Sequence, residues 1–200
     1  MAQNQKDYLI HPQVIAMSLL IAGVTFLFLA FSGSYIYTRV QADIPPIKLP
    51  TLFYINTLVL LASSHTITRC KRAYREDDTK QYQLMLAASL ALSLIFLVAQ
   101  IFAWIQLFTS GILVNQSNTA SFVYLISAVH FAHVIAGIPF LGLFLFTAYK
   151  RMKEPVSVLV YFSDPDKSRK LRLLTIYWHF LDALWIYLVI FFAVNYYVFS

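Results

Sequence analysis

Hydrophobic residues along this chain fall into five long runs, and short polar or charged segments separate the runs. A helix needs about 20 apolar residues to cross a hydrocarbon core, and each run meets or approaches that length. Because lipid offers no hydrogen-bond partners to the backbone, segments of this kind must be helical. The pattern predicts an all-α bundle of five transmembrane helices, approximately at residues 14–37, 52–67, 84–108, 122–149 and 173–199.

Composition favours a membrane protein, since 60% of the 200 residues are hydrophobic and only 12% are charged. A water-soluble domain of ordinary composition carries roughly twice that charged fraction. The sequence has no internal repeat and no visible domain boundary, so residues 1–200 are predicted to form one integral membrane domain. The first run lacks a small-residue cleavage pattern, and we therefore expect it to be retained rather than removed as a signal peptide.

The basic residues are distributed unevenly, and their distribution predicts the orientation in the membrane. Of the 15 Lys and Arg residues, only Arg39 and Lys48 lie outside if the N-terminus is inside. The others occupy the N-terminal segment, where Lys6 lies, and the two loops that follow the second and fourth runs. The loop after the fourth run, residues 150–172, includes a predicted turn at 163–166. Basic residues favour the cytoplasmic side, so we expect the N-terminus inside and the C-terminus outside. The net charge of +6 then reflects contact with anionic headgroups, and no nucleic-acid partner is indicated.

Ionisable residues inside a membrane helix are costly, and they are the best indicators of function in such a sequence. His130 with His133, and His179 with Asp182, each place two side chains on one helix face. Together they could suggest a metal site. Counting along the helices from the inner basic residues places His130 roughly 30 Å up but Asp182 only roughly 15 Å up. This difference in depth does not favour one site with four ligands.

The same count groups the polar residues of the membrane into two layers at different depths. The outer layer is predicted to consist of Gln100, His130 and His133, and the inner layer of Ser63, Ser64, His65, His179 and Asp182. Hydrogen bonds between membrane helices contribute about 0.6–2 kcal/mol each and fix which helix faces which. We interpret both layers as structural, with a local proton or ion path and a metal or haem site as the alternatives.

Two further features lie beside these layers. Trp178 and Trp185 flank Asp182 in the sequence, and each either faces lipid or donates its indole N–H to a buried group. Gly137 and Pro139 should let the fourth helix bend and approach a neighbour closely.

Four motifs, one in each of the last four predicted helices, resemble those of subunit III of the respiratory cytochrome c oxidases. They are NTLVLLASS at Asn56–Ser64, FLVAQ at Phe96–Gln100 followed by Trp104, HFAHVIAG at His130–Gly137, and YWHFLDALW at Tyr177–Trp185. The family patterns are NTxxLLxSS, FxxxQxxxW, HxxHVxxG and YWHFxDxxW. The chain is similar to the five-helix form of this family, which lacks the first two helices of the seven-helix form.

The resemblance implies an accessory subunit with no catalytic, cofactor-binding or metal-binding residue of its own, in a bacterial-type cytoplasmic membrane. It implies packing against oxidase subunit I, with haem and copper held by subunits I and II, binding of phospholipid, and protection of proton uptake during oxygen reduction. Membership of a larger respiratory supercomplex is left open. The same motifs permit a subunit of a quinol oxidase or a nitric oxide reductase, and an independent carrier or channel is the alternative of another class.

The chain departs from the family pattern in two places. Gly23 and Val24 stand where the family usually has a Ser-Glu pair, so the membrane carboxylate is missing. Ala103 stands where an acidic residue often precedes the Trp of the second motif. Both departures weaken the interpretation of this subunit as a proton conductor.

Overall fold

The computed structural model describes residues 11–199, and the regular structure within them is helical. Lys6 and the rest of the segment before residue 11 lie outside the described residues. The helices are α1 (Pro12–Gln41), α2 (Thr51–Arg75), α3 (Thr79–Thr109), α4 (Asn118–Arg151), α5 (Pro155–Phe162) and α6 (Pro165–Phe199). By length and composition, α1, α3, α4 and α6 are candidates to cross a membrane, and the chain is a multi-pass membrane protein.

Local chemistry explains where several helices begin. The side chain of Asp78 accepts from the backbone N–H of Gln81 and caps α3, and Ser117 accepts from Ala120 and caps α4. Such caps satisfy N–H groups that have no partner within the helix. Between α2 and α3, Asp77 adopts a left-handed conformation with φ of 56°. Asp tolerates this conformation better than most residues do, and it allows a turn of only three residues.

The observed helices are longer than the hydrophobic runs from which they were predicted. The second run, 52–67, lies within α2, which continues to Arg75, and the fifth, 173–199, lies within α6, which begins at Pro165. A hydrophobic run marks the part of a helix that can enter lipid, whereas the helix itself continues into the polar region. The loop predicted at residues 150–172 also contains α5, a short helix that the sequence pattern did not indicate.

α6 lies at the centre of the bundle. It packs against α1, α2, α4 and α5, while α2 and α3 form an antiparallel hairpin with the most extensive contact of any pair. In the apolar part of α6, 44% of residues are buried, compared with 6% in α1. Polar side chains that face inward from α2, α3 and α4 are therefore brought towards α6 or towards each other.

Candidate functional site

The His179 side chain on α6 lies between two hydroxyl groups of α2. Its Nδ1 atom is 2.7 Å from Ser64 Oγ, and its Nε2 atom is 3.3 Å from Thr68 Oγ1. Thr68 already donates its single hydroxyl hydrogen to the Ser64 carbonyl oxygen. It must therefore accept from His179, which assigns the ring proton to Nε2 and leaves Nδ1 to accept from Ser64. The imidazole thus joins α6 to two adjacent turns of α2.

Trp178 makes a second link between α6 and α2. Its indole Nε1–H donates to Ser63 Oγ over 3.2 Å, and both side chains are buried. The sequence left open whether this indole faces lipid or donates to a buried group, and its geometry is that of a donor. On the other side of the indole, a β-carbon added to Gly137 of α4 would lie 2.6 Å from Trp178 Cζ3. Trp178 is therefore held between α2 and α4.

Asp182 lies one turn beyond Trp178, and its side chain is buried with 4% exposure. Within residues 11–199, neither of its carboxylate oxygens has a hydrogen-bond partner in regular geometry, although Ser64 is close enough to interact. The geometry directs the Ser64 hydroxyl hydrogen to His179 instead. Buried polar groups in folded proteins are nearly always paired. The contacts between the described helices therefore satisfy the polar groups of Ser63, Ser64 and His179, but they leave the Asp182 carboxylate without a hydrogen bond.

His65 does not join the inner layer in which the depth count placed it. Its side chain is exposed, whereas Ser63 is buried and Ser64 is half-buried. Successive residues of a helix differ in direction by about 100°, so equal depth does not mean a shared face. His65 lies on the outer surface of the described bundle. The inner cluster, as the structure has it, consists of Ser63, Ser64, Thr68, Trp178 and His179, with Asp182 beside it.

Gln100 pairs with Asn56 rather than with the histidines at its own depth. Asn56 Nδ2 donates to Gln100 Oε1 over 2.9 Å, and both side chains are fully buried between α2 and α3. The predicted outer layer joined Gln100 to residues of α4 and did not include Asn56, although Asn56 stands in the first family motif. The structure thus corrects the predicted outer layer. The other amide atoms, Asn56 Oδ1 and Gln100 Nε2, have no partner among the described residues.

His130 and His133 share a helix face but have different surroundings. His130 is fully buried among aromatic rings, with its centroid 5.0 Å from that of Trp185 and 5.9 Å from that of Phe96. Within the described chain, neither of its ring nitrogens has a hydrogen-bond partner. His133 donates from Nδ1 to the Val129 carbonyl oxygen over 2.7 Å, because a carbonyl can only accept. The two imidazoles therefore do not form a common site.

Further motif residues connect α3, α4 and α6. Trp104 Nε1 donates to Ser127 Oγ over 2.9 Å and joins α3 to α4. The Tyr177 hydroxyl donates to the His133 carbonyl oxygen over 2.9 Å and joins α6 to α4. Trp185 is buried and stacks on Phe53 of α2, with ring centroids 5.5 Å apart. Both predictions for Trp185 are therefore wrong, since it does not face lipid and its indole N–H has no hydrogen-bond partner among the described residues. Each contact joins two different helices, which is the arrangement expected of residues that fix helix packing.

These clusters connect the helices through hydrogen bonds between polar side chains. In the part of the chain that the structure describes, no three His, Cys, Asp or Glu side chains lie together as metal ligands would. The paired groups are hydroxyls, amides, indoles and a neutral imidazole, and the hydrogen bonds between them join different helices. This arrangement suits the holding of helices in register.

The chain is similar to known proteins along nearly its whole length. The model of the family described as cytochrome c oxidase subunit III matches residues 15–198. A "Probable cytochrome c oxidase subunit 3" from Rickettsia prowazekii is 31% identical over 141 residues, or 69% of this chain and 46% of that protein. A cytochrome c oxidase subunit 3 from Thermostichus vulcanus is 26% identical over 175 residues, or 88% of this chain and 80% of that protein.

A third relative carries a different name. A "Probable quinol oxidase subunit 3" from Staphylococcus saprophyticus is 27% identical over 137 residues, covering 68% of this chain and 63% of that protein. The chain spans about half the length of the Rickettsia relatives that it matches. The family match covers the helices that carry all four motifs, and the motif side chains meet at the contacts between those helices. The chain therefore belongs to the cytochrome c oxidase subunit III family.

Proposed function

We propose that this chain is an accessory, metal-free subunit of a proton-pumping haem-copper oxidase, located in a bacterial-type cytoplasmic membrane. Its partners are oxidase subunits I and II, which hold the haem and copper and carry out oxygen reduction. The observation that carries the proposal is the family match over residues 15–198. The paired motif residues support an accessory role, because they form contacts between helices.

The proposed topology has five spans, with α2 as the fifth membrane helix. α2 contains more polar residues than the other four long helices, since Asn56, Ser63, Ser64 and Thr68 all lie on it. The structure supports its inclusion because Asn56 pairs with α3 and Ser63, Ser64 and Thr68 pair with α6, so these polar groups have partners within the bundle. The proposed orientation has the N-terminus inside and the C-terminus outside, because the basic residues are concentrated in the segments after the second and fourth hydrophobic runs.

The proposed role of the subunit is to stabilise subunit I and protect its proton uptake during turnover. A bundle held by many contacts between helices can present a fixed surface to a partner. Removal of the subunit should leave an assembled oxidase that loses activity faster during turnover. Measurement of oxygen consumption over successive turnovers, with and without this chain, tests the role. Equal rates of inactivation would contradict it.

Phospholipid is the proposed ligand of the subunit. A largely apolar cavity of about 500 Å³ lies between α1, α4 and α6, and its wall includes Leu20, Phe140 and Leu173. Lys170 also lines the cavity. Apolar walls with a cation at the edge suit an acyl chain and an anionic headgroup. Lipid extraction from the purified complex, followed by mass spectrometry, tests this proposal.

The electron donor is proposed to be cytochrome c, with quinol as the second candidate because one relative carries a quinol oxidase name. Purification of the tagged chain in mild detergent should recover a haem-bearing partner. Oxygen consumption with reduced cytochrome c and with a quinol then separates the two donors. A nitric oxide reductase partner would show activity with nitric oxide instead. Recovery of the chain alone, with ion flux in proteoliposomes, would overturn the proposal in favour of a carrier or channel.

A further inference from the structure

α5 (Pro155–Phe162) is attached to the bundle by one face. The Tyr74 hydroxyl at the end of α2 donates to the Tyr161 carbonyl oxygen over 3.1 Å. The Tyr82 and Tyr161 hydroxyl oxygens are 3.4 Å apart, and the ring centroids of Tyr74 and Phe162 are 5.1 Å apart. Tyr161 and Phe162 are both buried as a result. These contacts fix the height and the rotation of α5 relative to the long helices.

The opposite face of α5 is apolar and uncovered. Val156 is 73% exposed, Leu159 is 65% exposed and Val160 is 64% exposed. Positions i, i+3 and i+4 lie on one side of a helix, so the three side chains form a continuous stripe. A stripe of this kind is unfavourable in water, because apolar surface gains about 25 cal/mol per Å² when it is removed from water. The aromatic contacts on the other face prevent α5 from rotating to hide it.

Basic side chains border this stripe. A cavity of about 470 Å³ at the end of α4 is lined by Lys150, Arg151, Lys153 and Lys167, with Glu154 as the acid among its lining residues. Its wall also includes the stripe residues Val156 and Val160 and the aromatic Tyr161. An apolar face bordered by Lys and Arg is the pattern of helices that lie in the membrane interface.

The position of α5 agrees with this pattern. It contacts α2 where α2 ends, α3 where α3 begins, and α6 near the start of α6, and it follows α4 by three residues. The ends of membrane-crossing helices mark the level at which hydrocarbon gives way to headgroups. At the same level, the Lys150 ammonium lies 5.7 Å from the centre of the Phe146 ring on α4. The basic residues at the end of α4 therefore lie at the level where anionic headgroups are expected.

We propose that α5 is an interfacial helix that binds the anionic surface of one membrane leaflet. The stripe of Val156, Leu159 and Val160 enters the upper part of the acyl chains, and Lys150, Arg151 and Lys153 bind anionic phospholipid headgroups. The basic cluster beside Val156 and Val160 favours such a surface over a neutral one, and next to Leu159 the lysines Lys80 and Lys153 accompany Asp77 and Glu154. The proposed topology identifies this leaflet as the inner one. The inference rests on the proposed function in that respect only.

The depth of α5 can be measured in the assembled complex. Leu159→Cys is labelled with an environment-sensitive fluorophore in a Cys70→Ala background, because Cys70 is the single native cysteine. Ser168→Cys is the matched control, since Ser168 is exposed among the charged residues at the start of α6 and does not belong to the stripe. Both are reconstituted in nanodiscs of phosphatidylglycerol and phosphatidylcholine that contain a nitroxide placed high on the acyl chain. Aqueous iodide serves as the second quencher.

We expect the nitroxide to quench the Leu159→Cys label more strongly than the Ser168→Cys label, and iodide to show the reverse order. Equal quenching of both labels by iodide would show that the stripe lies in water and would overturn the proposal. Protection of the Leu159→Cys label from both quenchers would overturn it too, because a protein partner would then cover the stripe. Neither result depends on haem or oxygen chemistry, so failure here is distinguishable from failure of the proposed function.

The charge requirement has its own test. The double substitution Lys150→Gln and Lys153→Gln should reduce nitroxide quenching of the Leu159→Cys label in phosphatidylglycerol nanodiscs to the level seen in pure phosphatidylcholine. Lys48→Gln is the control, since Lys48 is exposed in the loop between α1 and α2. The nitroxide quenching could instead be the same in both lipids, with and without the double substitution. That result would refute the proposal that Lys150 and Lys153 bind anionic headgroups.

Discussion

Replacement of Gly137 by alanine adds a methyl group at the point where α4 meets α6. The new β-carbon would lie 2.6 Å from Trp178 Cζ3 and 3.0 Å from Tyr177 Cε1. Carbon atoms pack at about 3.5–4.0 Å, so the two helices must separate by about 1 Å or the indole must move. The indole is buried, and it is bonded to Ser63 on its far side. Separation of the helices is therefore the expected response.

Separation has a cost that can be estimated from these contacts. Overpacking of a well-packed core costs about 1–3 kcal/mol. Movement of α4 away from α6 also stretches the bond between Tyr177 and the His133 carbonyl oxygen, now 2.9 Å long. Such bonds contribute about 0.6 kcal/mol on average between membrane helices. We expect Gly137→Ala to lower the free energy of unfolding by about 1.5–3.5 kcal/mol.

The assay is reversible unfolding of the purified chain in mixed micelles titrated with sodium dodecyl sulfate. Gly142→Ala is the matched control, because no heavy atom lies within 4 Å of the β-carbon that it adds to the same helix. Its effect should stay below about 0.5 kcal/mol. A second background, Trp178→Leu, should reduce the cost of Gly137→Ala, since residues in contact have non-additive effects. Equal stabilities of Gly137→Ala and Gly142→Ala would refute the reasoning.

Three further predictions concern the polar groups. Asn56→Leu leaves Gln100 buried without its partner and should lower the free energy of unfolding by about 1–3 kcal/mol. The double substitution Asn56→Leu and Gln100→Leu should recover part of that loss in the same titration, and an additive result would count against the pairing. His179→Phe removes two contacts with α2 and should destabilise the bundle by about 0.6–2 kcal/mol, whereas His65→Phe on the exposed face should have little effect. Similar losses from the two histidine variants would argue against the inner cluster. Burial alone would raise the pKa of the Asp164 carboxyl. Hydrogen bonds from two backbone N–H groups at the start of α6 and from the Lys167 ammonium outweigh this effect, so the pKa of Asp164 lies below its usual value. The ionised form therefore stabilises the fold above the unfolded pKa of about 3.9, and this contribution is lost as the pH falls through the lower folded pKa. The difference in unfolding midpoint between wild type and Asp164→Asn should accordingly shrink from pH 7 to pH 3, and a constant difference would contradict the assignment.

Much of the architecture follows from the order of residues. Lipid enforces helical structure on any long apolar run, so the length of each run is enough to place a helix. For the same reason, the residues of the four motifs could be assigned to helices and to approximate depths. The family resemblance also rests on residue order, and the match over residues 15–198 agrees with it.

Helix packing determined the partners of the polar side chains. Gln100 and His130 lie at similar depths, yet Gln100 bonds to Asn56 and His130 lies among aromatic rings. A depth count measures distance along the helix axis, whereas a hydrogen bond also requires that two side chains point towards each other. His65 shows the same limit, since it shares its depth with Ser64 but lies on the exposed face.

α5 illustrates why short elements depend on the rest of the fold. Eight residues are too few for a hydrophobic period to separate a helix from a loop, and an isolated helix of that length is unstable in water. Its stability comes from Tyr74 and Tyr82, which are about 80 residues earlier in the chain and reach it only after α2 and α3 have packed. Local sequence sets which segments enter lipid, because that choice depends on the total apolar content of each segment. The direction of each side chain, and with it every contact in the polar clusters, depends on how whole helices pack together.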